Sequence, residues 1–506
     1  MKRFPFTLRI TSRFERGADC QSAKIAQFLG RLATCPTKVL TSLLLAPLAM
    51  LLCTIAQAAA VDKPNIVFIL ADDAGIGDFS CYGCKYGATP NIDRLAKEGM
   101  LFTQAYSGSA VCAPTRCVLM TGLHTGHGLR RANGSNDGLL PLPRNQATVA
   151  RLLHDAGYAT GGFGKWGLGN PGTSGVPEKE GFDLFYGYYD QVHAHDYYTG
   201  HLIRNSVNVP IPQDGKHTWD DYSHTHIANE TLQFIERNKD RPFFCYAAWT
   251  PPHGDYVIPS DEPYSKKHWK QMIKNYAAMV TLIDKDVGRV VQKLKDLGLE
   301  KNTLVIFSSD NGANQEFIKP LGSTGGLRGY KRLLYEGGTR APLIARWPGQ
   351  IKPGTRSDML TSHVDFLATA ADLAGRPAPA GTDGVSIRPT LLGQTQEKKH
   401  DFLYFEIYEP YFQQSVRWGD WKGYRLGTKA PLELYDLKTD PKEQNNVAAS
   451  HADVVGKLQA ILAAEHTPSP HYTTPETRVP GKKGKKAKKA GNGKQVTLAA
   501  LLDDEQ

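Results

Sequence analysis

The sequence predicts an α/β sandwich built on a largely parallel sheet, followed by a small α+β subdomain. Three observations carry this expectation. Short apolar, β-rich runs at Pro64–Ala71, Phe243–Trp249 and Thr303–Ser308 alternate with helical patterns. The first and third runs end in Asp72-Asp73 and Ser309-Asp310-Asn311, so polar groups gather where strands stop. From about His400 the texture changes to short aromatic-rich segments such as FLYFEIYE and WGDWKGYRL.

The elements follow in chain order. Val39–Ala56 (VLTSLLLAPLAMLLCTIA) is apolar, is interrupted by Pro47 and leads into Ala56-Gln57-Ala58, an A-x-A cleavage pattern. It reads as a secretory signal cut near Ala58 and not as a stable membrane anchor, so the mature protein is expected to be periplasmic or secreted. Thr89–Gly99 has a capping residue, Pro90 in the first turn and a glycine stop, which spells a helix. Over Tyr276–Leu297, residues Met279, Ile283, Val287, Val290, Val291 and Leu294 recur at helical spacing. Asp453–Glu465 reads as a last helix. The expected organisation is an extension with signal over 1–60, a main domain over 61–397, the subdomain over 398–466 and a tail over 467–506. That tail holds a Pro/Thr stretch and GKKGKKAKK, a composition that predicts disorder.

The 506 residues are 41% hydrophobic and 22% charged, which suits a folded protein with a large core. The net charge of +10 misleads, because residues 1–38 carry eight Lys/Arg against two acids and residues 481–494 carry seven lysines and no acid. Everything between is −3, so the charge gives no reason to expect nucleic acid as a partner. Five cysteines follow the cleavage pattern: Cys81, Cys84, Cys112, Cys117 and Cys245. An odd number in an exported chain leaves a thiol unpaired or chemically used. Cys81-x-x-Cys84 lacks the second pair or redox context that a metal or disulfide-exchange site needs.

Asp72, Asp73, Asp310 and Asn311 offer hard oxygen ligands, which favour Ca²⁺ or Mg²⁺ over Zn²⁺; alone, either pair reads equally as turn or cap residues. Cations stand in Gly-punctuated segments: Lys165 in GKWGLG, His253 in PPHG and Lys331 in RGYK. Together they suit a pocket for an anionic, tetrahedral group.

The stretch Cys112-Ala113-Pro114-Thr115-Arg116, with Met120-Thr121-Gly122 behind it, resembles the signature of the type I sulfatases, C-x-P-x-R with a trailing T-G. The resemblance extends in order through Asp72-Asp73, Gly164-Lys165-Trp166, Pro252-His253, Ser309-Asp310-Asn311-Gly312, Lys331, Tyr335-Glu336-Gly337-Gly338 and Leu434-Tyr435-Asp436-Leu437. It covers roughly residues 62 to 465 and implies an alkaline-phosphatase-like fold with a small C-terminal sheet. It also implies that a formylglycine-generating maturation enzyme converts Cys112 to Cα-formylglycine, whose hydrate offers a hydroxyl nucleophile where a thiolate would give a dead-end adduct. A cation, Ca²⁺ with Mg²⁺ as the alternative, would be held by Asp72, Asp73, Cys112 in its modified form, Asp310 and Asn311. Arg116 and Lys165 would steady the hydrate, Lys331 would bind sulfate oxygens, and His253 would bind sulfate or protonate the leaving alcohol. The implied activity is that of a secreted sulfatase acting on sulfate monoesters, with a sulfated small molecule or carbohydrate as substrate.

One position departs from the pattern. Many members read G-K-W-H-L-G, but residue 167 is glycine here. His193 and His195 are candidates for compensation or substrate contact, and equally for a purely structural loop. His124 and His127 read as structural. The alternatives are a phosphonate monoester or phosphodiester hydrolase of the same superfamily and a non-catalytic binding protein on this fold.

Overall fold

Residues 63–474 are described by the computed structural model. The first apolar run forms β1 (Asn65–Ala71), buried at every position. Four further strands lie parallel to it or to its neighbours: β2 (Ala159–Lys165), β3 (Leu184–Tyr188), β4 (Phe243–Ala248) and β5 (Thr303–Ser309). Their spatial order is β5-β1-β4-β2-β3, with Ile66 opposite Leu304 on one side and Phe244 on the other. Antiparallel strands extend both edges, including β6 (Leu343–Arg346) beside β5, to make a ten-stranded mixed sheet. This is the mainly parallel sheet the alternation of elements predicts.

Period-two alternation divides the core between the two faces. Ile66, Phe68 and Leu70 pack with residues of α2 (Cys112–Thr121), α3 (Val149–Asp155) and α6 (Asp365–Leu373). Val67, Ile69 and Ala71 pack on the opposite face, against α1 (Pro90–Lys97), α4 (Ser223–Arg237) and α5 (Gln271–Asp296). A strand covered on both sides often reads as an unbroken apolar run, which is why β1, β4 and β5 were visible in the sequence, whereas β2, rich in glycine, and β3 were not anticipated.

α1 corrects one expectation. Thr89 does not cap it; its hydroxyl accepts the Ser80 N–H at 2.9 Å. Asp284 on α5 takes that place, with Oδ1 accepting the N–H groups of Asn91 and Ile92 at 2.9 and 2.8 Å. These donors would otherwise be orphaned at the helix start.

The C-terminal subdomain is an antiparallel sheet of β7 (Phe402–Ile407), β8 (Gln413–Trp418), β9 (Trp421–Leu426) and β10 (Glu433–Asp436). Val454, Leu458 and Leu462 of α7 (Ala452–Ala464) seal one side of it. A buried network joins it to the main domain: the Lys422 Nζ lies 2.9 Å from Glu336 and 3.2 Å from Glu443. Glu443 in turn accepts the Glu336 N–H at 2.7 Å.

The start of the segment expected to be a disordered tail is packed. Tyr472 is buried, its hydroxyl accepts the Arg131 N–H at 3.1 Å, and the Thr467 carbonyl accepts from Arg131 Nη1 at 2.6 Å. The extension and signal over 1–60 and the lysine run lie outside the described residues. Among the described residues no helix is long and apolar enough to cross a membrane, and all five cysteines are free.

Candidate active site

Parallel strands bring their carboxyl ends to one edge, and there the separated motifs meet. β1 delivers Asp72 and Asp73, β5 delivers Asp310 and Asn311, and Lys165 is the last residue of β2. β4 runs through Trp249 into the loop bearing His253. Cys112 opens α2, and Arg116 lies one turn later on the same helix face. Asp72, Asp73, Asp310, Asn311, Arg116 and Lys165 are wholly inaccessible, and Cys112, Lys331 and His253 nearly so.

Asp72 is held from two sides: its Oδ2 accepts from Lys165 Nζ at 2.7 Å and from Arg116 Nη2 at 3.1 Å. Burial would raise this carboxyl, yet Lys165 and Arg116 help to keep it well below the usual carboxylate range. The same Arg116 nitrogen reaches Asp310 Oδ2 at 3.0 Å, and Nη1 donates to the Lys165 carbonyl at 2.5 Å. Asp73 takes Lys331 Nζ at 2.6 Å on Oδ2 and the Asn311 amide at 2.7 Å on Oδ1, with His253 Nε2 3.7 Å from Oδ2. It sits in the left-handed region, φ 64°, which aspartate tolerates better than most residues. The Asp310 carboxylate, accepting its N–H at 3.1 Å, and the Tyr276 hydroxyl, donating to its carbonyl at 3.2 Å, hold it there.

The Cys112 sulfur closes the ring, 3.4 Å from Asp72 Oδ1 and 3.9 Å from Asp73 Oδ1. Burial first, then the Asp72 charge, pushes the thiol well above its ordinary value, so it stays protonated and is a poor nucleophile. Burial and Asp72 also push the Asp310 carboxyl up to about 7. Burial pulls His253 down to about 3, leaving a neutral imidazole whose Nδ1 has no partner.

The donor set fits a hard divalent cation. Asn311 donates to Asp73 while its buried Oδ1 has no hydrogen-bond partner, and Asp72, Asp73, Cys112 and His253 lie within metal-ligating reach of one another. The site also fits an oxygen nucleophile at position 112, since a hydroxyl in the sulfur's place would face the same two carboxylates.

All the residues anticipated for the centre are therefore brought together, and His195 stands at the rim. Its ring lies edge-on to His253 at 4.4 Å and its side chain is 45% exposed. His193 is committed elsewhere, bonded to Thr199 at 2.9 Å and packed on Tyr188. His124 and His127 stack at 4.1 Å and pair with Asp383 and Glu465, joining the main domain to the end of α7.

Three participants were not foreseen. The Asn314 amide donates to Asp73 Oδ2 at 3.0 Å and to the Tyr256 hydroxyl at 2.7 Å. The Asn133 carbonyl oxygen accepts the N–H of Ala113, next to Cys112, at 3.0 Å. Gln191 fills the space at Gly167: a Cβ there would lie 2.2 Å from Gln191 Nε2. Neither His193 nor His195 takes that place. The glycine at 167, just past the end of β2, was the available signal, but nothing in the sequence named its filler.

A buried nest of carboxylates at the ends of parallel strands, ringed by Arg, Lys and His, is a candidate site for a cation and an anionic ester. Comparison with known proteins gives the class. The family described as Sulfatase matches residues 64–376, and N-sulphoglucosamine sulphohydrolase, C-terminal, matches residues 328–467. The chain belongs to the sulfatase family and is a sulfuric ester hydrolase. It is 31% identical to N-acetylgalactosamine-6-O-sulfatase of Bacteroides thetaiotaomicron, over 80% of this chain and 93% of that protein. It is 32% identical to human arylsulfatase A, over 83% of this chain and 89% of that protein. A crystal structure of Ps i-CgsB in complex with k-i-k-neocarrahexaose superposes with a TM-score of 0.72 at 26% identity, covering 82% of this chain and 96% of the other.

Proposed function

We propose that this protein is an exported carbohydrate sulfatase that uses Cα-formylglycine, derived from Cys112, and one divalent cation, Ca²⁺ or Mg²⁺. The observation that carries the proposal is the placement of Cys112 at the start of α2, against two carboxylates and within a ring of cations. The carbohydrate preference is supported by the named substrate of the N-acetylgalactosamine-6-O-sulfatase relative and by the oligosaccharide in the superposed complex. Export is supported by the apolar segment ending in Ala56-Gln57-Ala58.

Asp72, Asp73, Asp310 and Asn311 would hold the cation, which as a Lewis acid polarises a sulfate oxygen and favours the ionised nucleophile when bound. Formylglycine at residue 112 would supply a hydroxyl nucleophile through its hydrate. Arg116 and Lys165 keep the carboxylates aimed and neutralise their surplus charge, so the site does not repel a sulfate ester. Lys331, held by Asp73, presents an ammonium group to the sulfate oxygens. His253 is neutral as it stands, and the arrival of an anionic ester beside it favours its protonation, which equips it to give a proton to the departing alcohol. His195, at the rim beside His253, contacts the alcohol portion.

Parallel assays with sulfate and phosphate esters of the same alcohols test this reading. Turnover of the sulfate esters, lost in Cys112→Ala, is expected. Preference for phosphate or phosphonate esters, or full turnover by Cys112→Ala, would overturn it.

A further inference from the structure

We propose that Arg332 forms an anion-recognising subsite next to the reaction centre. Its ligand would be a second negative group, a carboxylate or a further sulfate, on the saccharide that carries the scissile ester. This rests on the carbohydrate sulfatase reading and names its substrate class.

Lys331 and Arg332 are consecutive, but their side chains part company. Lys331 turns inward to Asp73, whereas Arg332 is 48% exposed. The separation is built into a strained backbone, since Arg332 has φ 78°, a conformation that non-glycine residues rarely adopt. Two hydrogen bonds hold it there: its N–H donates to the Ala110 carbonyl at 2.8 Å, and its own carbonyl accepts from Gln413 Nε2 at 2.8 Å.

The guanidinium is aimed as well as exposed. Its Nε donates to Glu409 Oε1 at 3.2 Å. Glu409 also accepts the Asn133 N–H at 2.7 Å on Oε2, and the Asn133 amide lies 3.4 Å from Oε1. Asn133 receives the Ala113 N–H, so the chain of bonds runs from Arg332 to the residue beside Cys112. The carboxylate is spent on these protein donors. The two terminal guanidinium nitrogens have no protein partner among the described residues, which leaves the fork that binds carboxylate or sulfate bidentately. Two residues beyond Glu409, the Tyr411 ring is 44% exposed, an unusual placement for a large aromatic and a ready surface for a sugar face. A strained backbone and an oriented cation thus coincide at Arg332, and the exposed Tyr411 follows its partner Glu409 by two residues in the chain.

The test compares the full-length enzyme with Arg332→Ala and Arg332→Lys on three ligands. These are a monosulfated monosaccharide, a monosulfated disaccharide with a uronate carboxylate, and a disulfated disaccharide without one. Arg332→Ala is expected to raise KM about 10- to 100-fold for whichever disaccharide bears the recognised anion, with kcat kept. The monosaccharide is expected to be unaffected, and Arg332→Lys to recover only part of the loss. The two disaccharides distinguish carboxylate from sulfate recognition. An unchanged KM for both, or an equal fall in kcat on all three ligands, which a purely structural role predicts, would overturn the proposal. Calorimetric binding of the disaccharides to Cys112→Ala, with and without Arg332→Ala, reads the subsite even if the parent hydrolyses no sulfate ester. Arg332-dependent binding would uphold the subsite while the activity reading fails, and Arg332-independent binding would overturn the subsite.

Discussion

Replacing Lys331 by methionine separates its electrostatic role from its bulk. Lys331 Nζ and Asp73 Oδ2 are 2.6 Å apart, with side-chain exposures of 5% and 0%. In the variant Asp73 keeps the amides of Asn311 and Asn314, both neutral, and His253 at 3.7 Å. Stripping one partner from a buried ion pair costs about 3–5 kcal/mol. On the proposed function, a divalent cation on the same carboxylates would supply the missing charge and would no longer meet the ammonium group. At an effective dielectric near 20 that relieved repulsion is worth several kcal/mol. Chemical denaturation is therefore expected to show a loss of about 3–5 kcal/mol in chelator, shrinking by at least about 2 kcal/mol in excess Ca²⁺. Turnover of a sulfate ester in Ca²⁺ should still fall by about 10²–10³ in kcat/KM, the scale of losing one oriented donor to a developing charge. An equal stability loss with and without the cation would refute the reasoning, because the carboxylates would not then be its ligands.

Three further expectations follow from other parts of the fold. Asp284→Ala removes the cap that α5 gives α1 and leaves two backbone donors unsatisfied, so urea denaturation should show a loss of about 1–2 kcal/mol with kcat retained. Burial opposes protonation of His400, but the Asp365 carboxylate 2.5 Å away raises its pKa, so the pair's contribution is fully present below the unfolded-state value of about 6.5 and is lost as pH rises through the higher folded-state value. His400→Gln should accordingly destabilise most, by roughly 3 kcal/mol, near pH 5.5, with the difference from the parent shrinking under alkaline conditions. Gly167→Ala places a Cβ 2.2 Å from Gln191 Nε2 at φ 79°, so it should cost about 1–2 kcal/mol in backbone strain, and a double-mutant cycle with Gln191→Ala should show coupling of at least about 0.5 kcal/mol.

What the sequence disclosed depended on how local each signal was. Doubly covered strands appear as continuous apolar runs, so the sheet and the acids at its carboxyl edge were legible. Cys112 and Arg116 are four residues apart, so a helix alone puts both on one face. Contacts made across long separations were hidden. Asp284 caps a helix nearly two hundred positions earlier, and Thr89, the local candidate, serves a turn instead. Gly167 announced a missing side chain, but only the path of the loop after β3 reveals that Gln191 occupies the space. The early part of the C-terminal tail looked unstructured because Pro and Thr dominate it, whereas the buried Tyr472 and the Thr467 carbonyl both fasten it to Arg131.

The central claim is the chemical identity of residue 112 in the working enzyme. Mass spectrometry of the peptide containing it, from a preparation with measured sulfatase turnover, tests that claim most directly. The expected mass is that for exchange of the CH₂SH side chain by CHO, in a fraction that tracks specific activity across preparations. A fully active protein carrying an unmodified Cys112 thiol would contradict it.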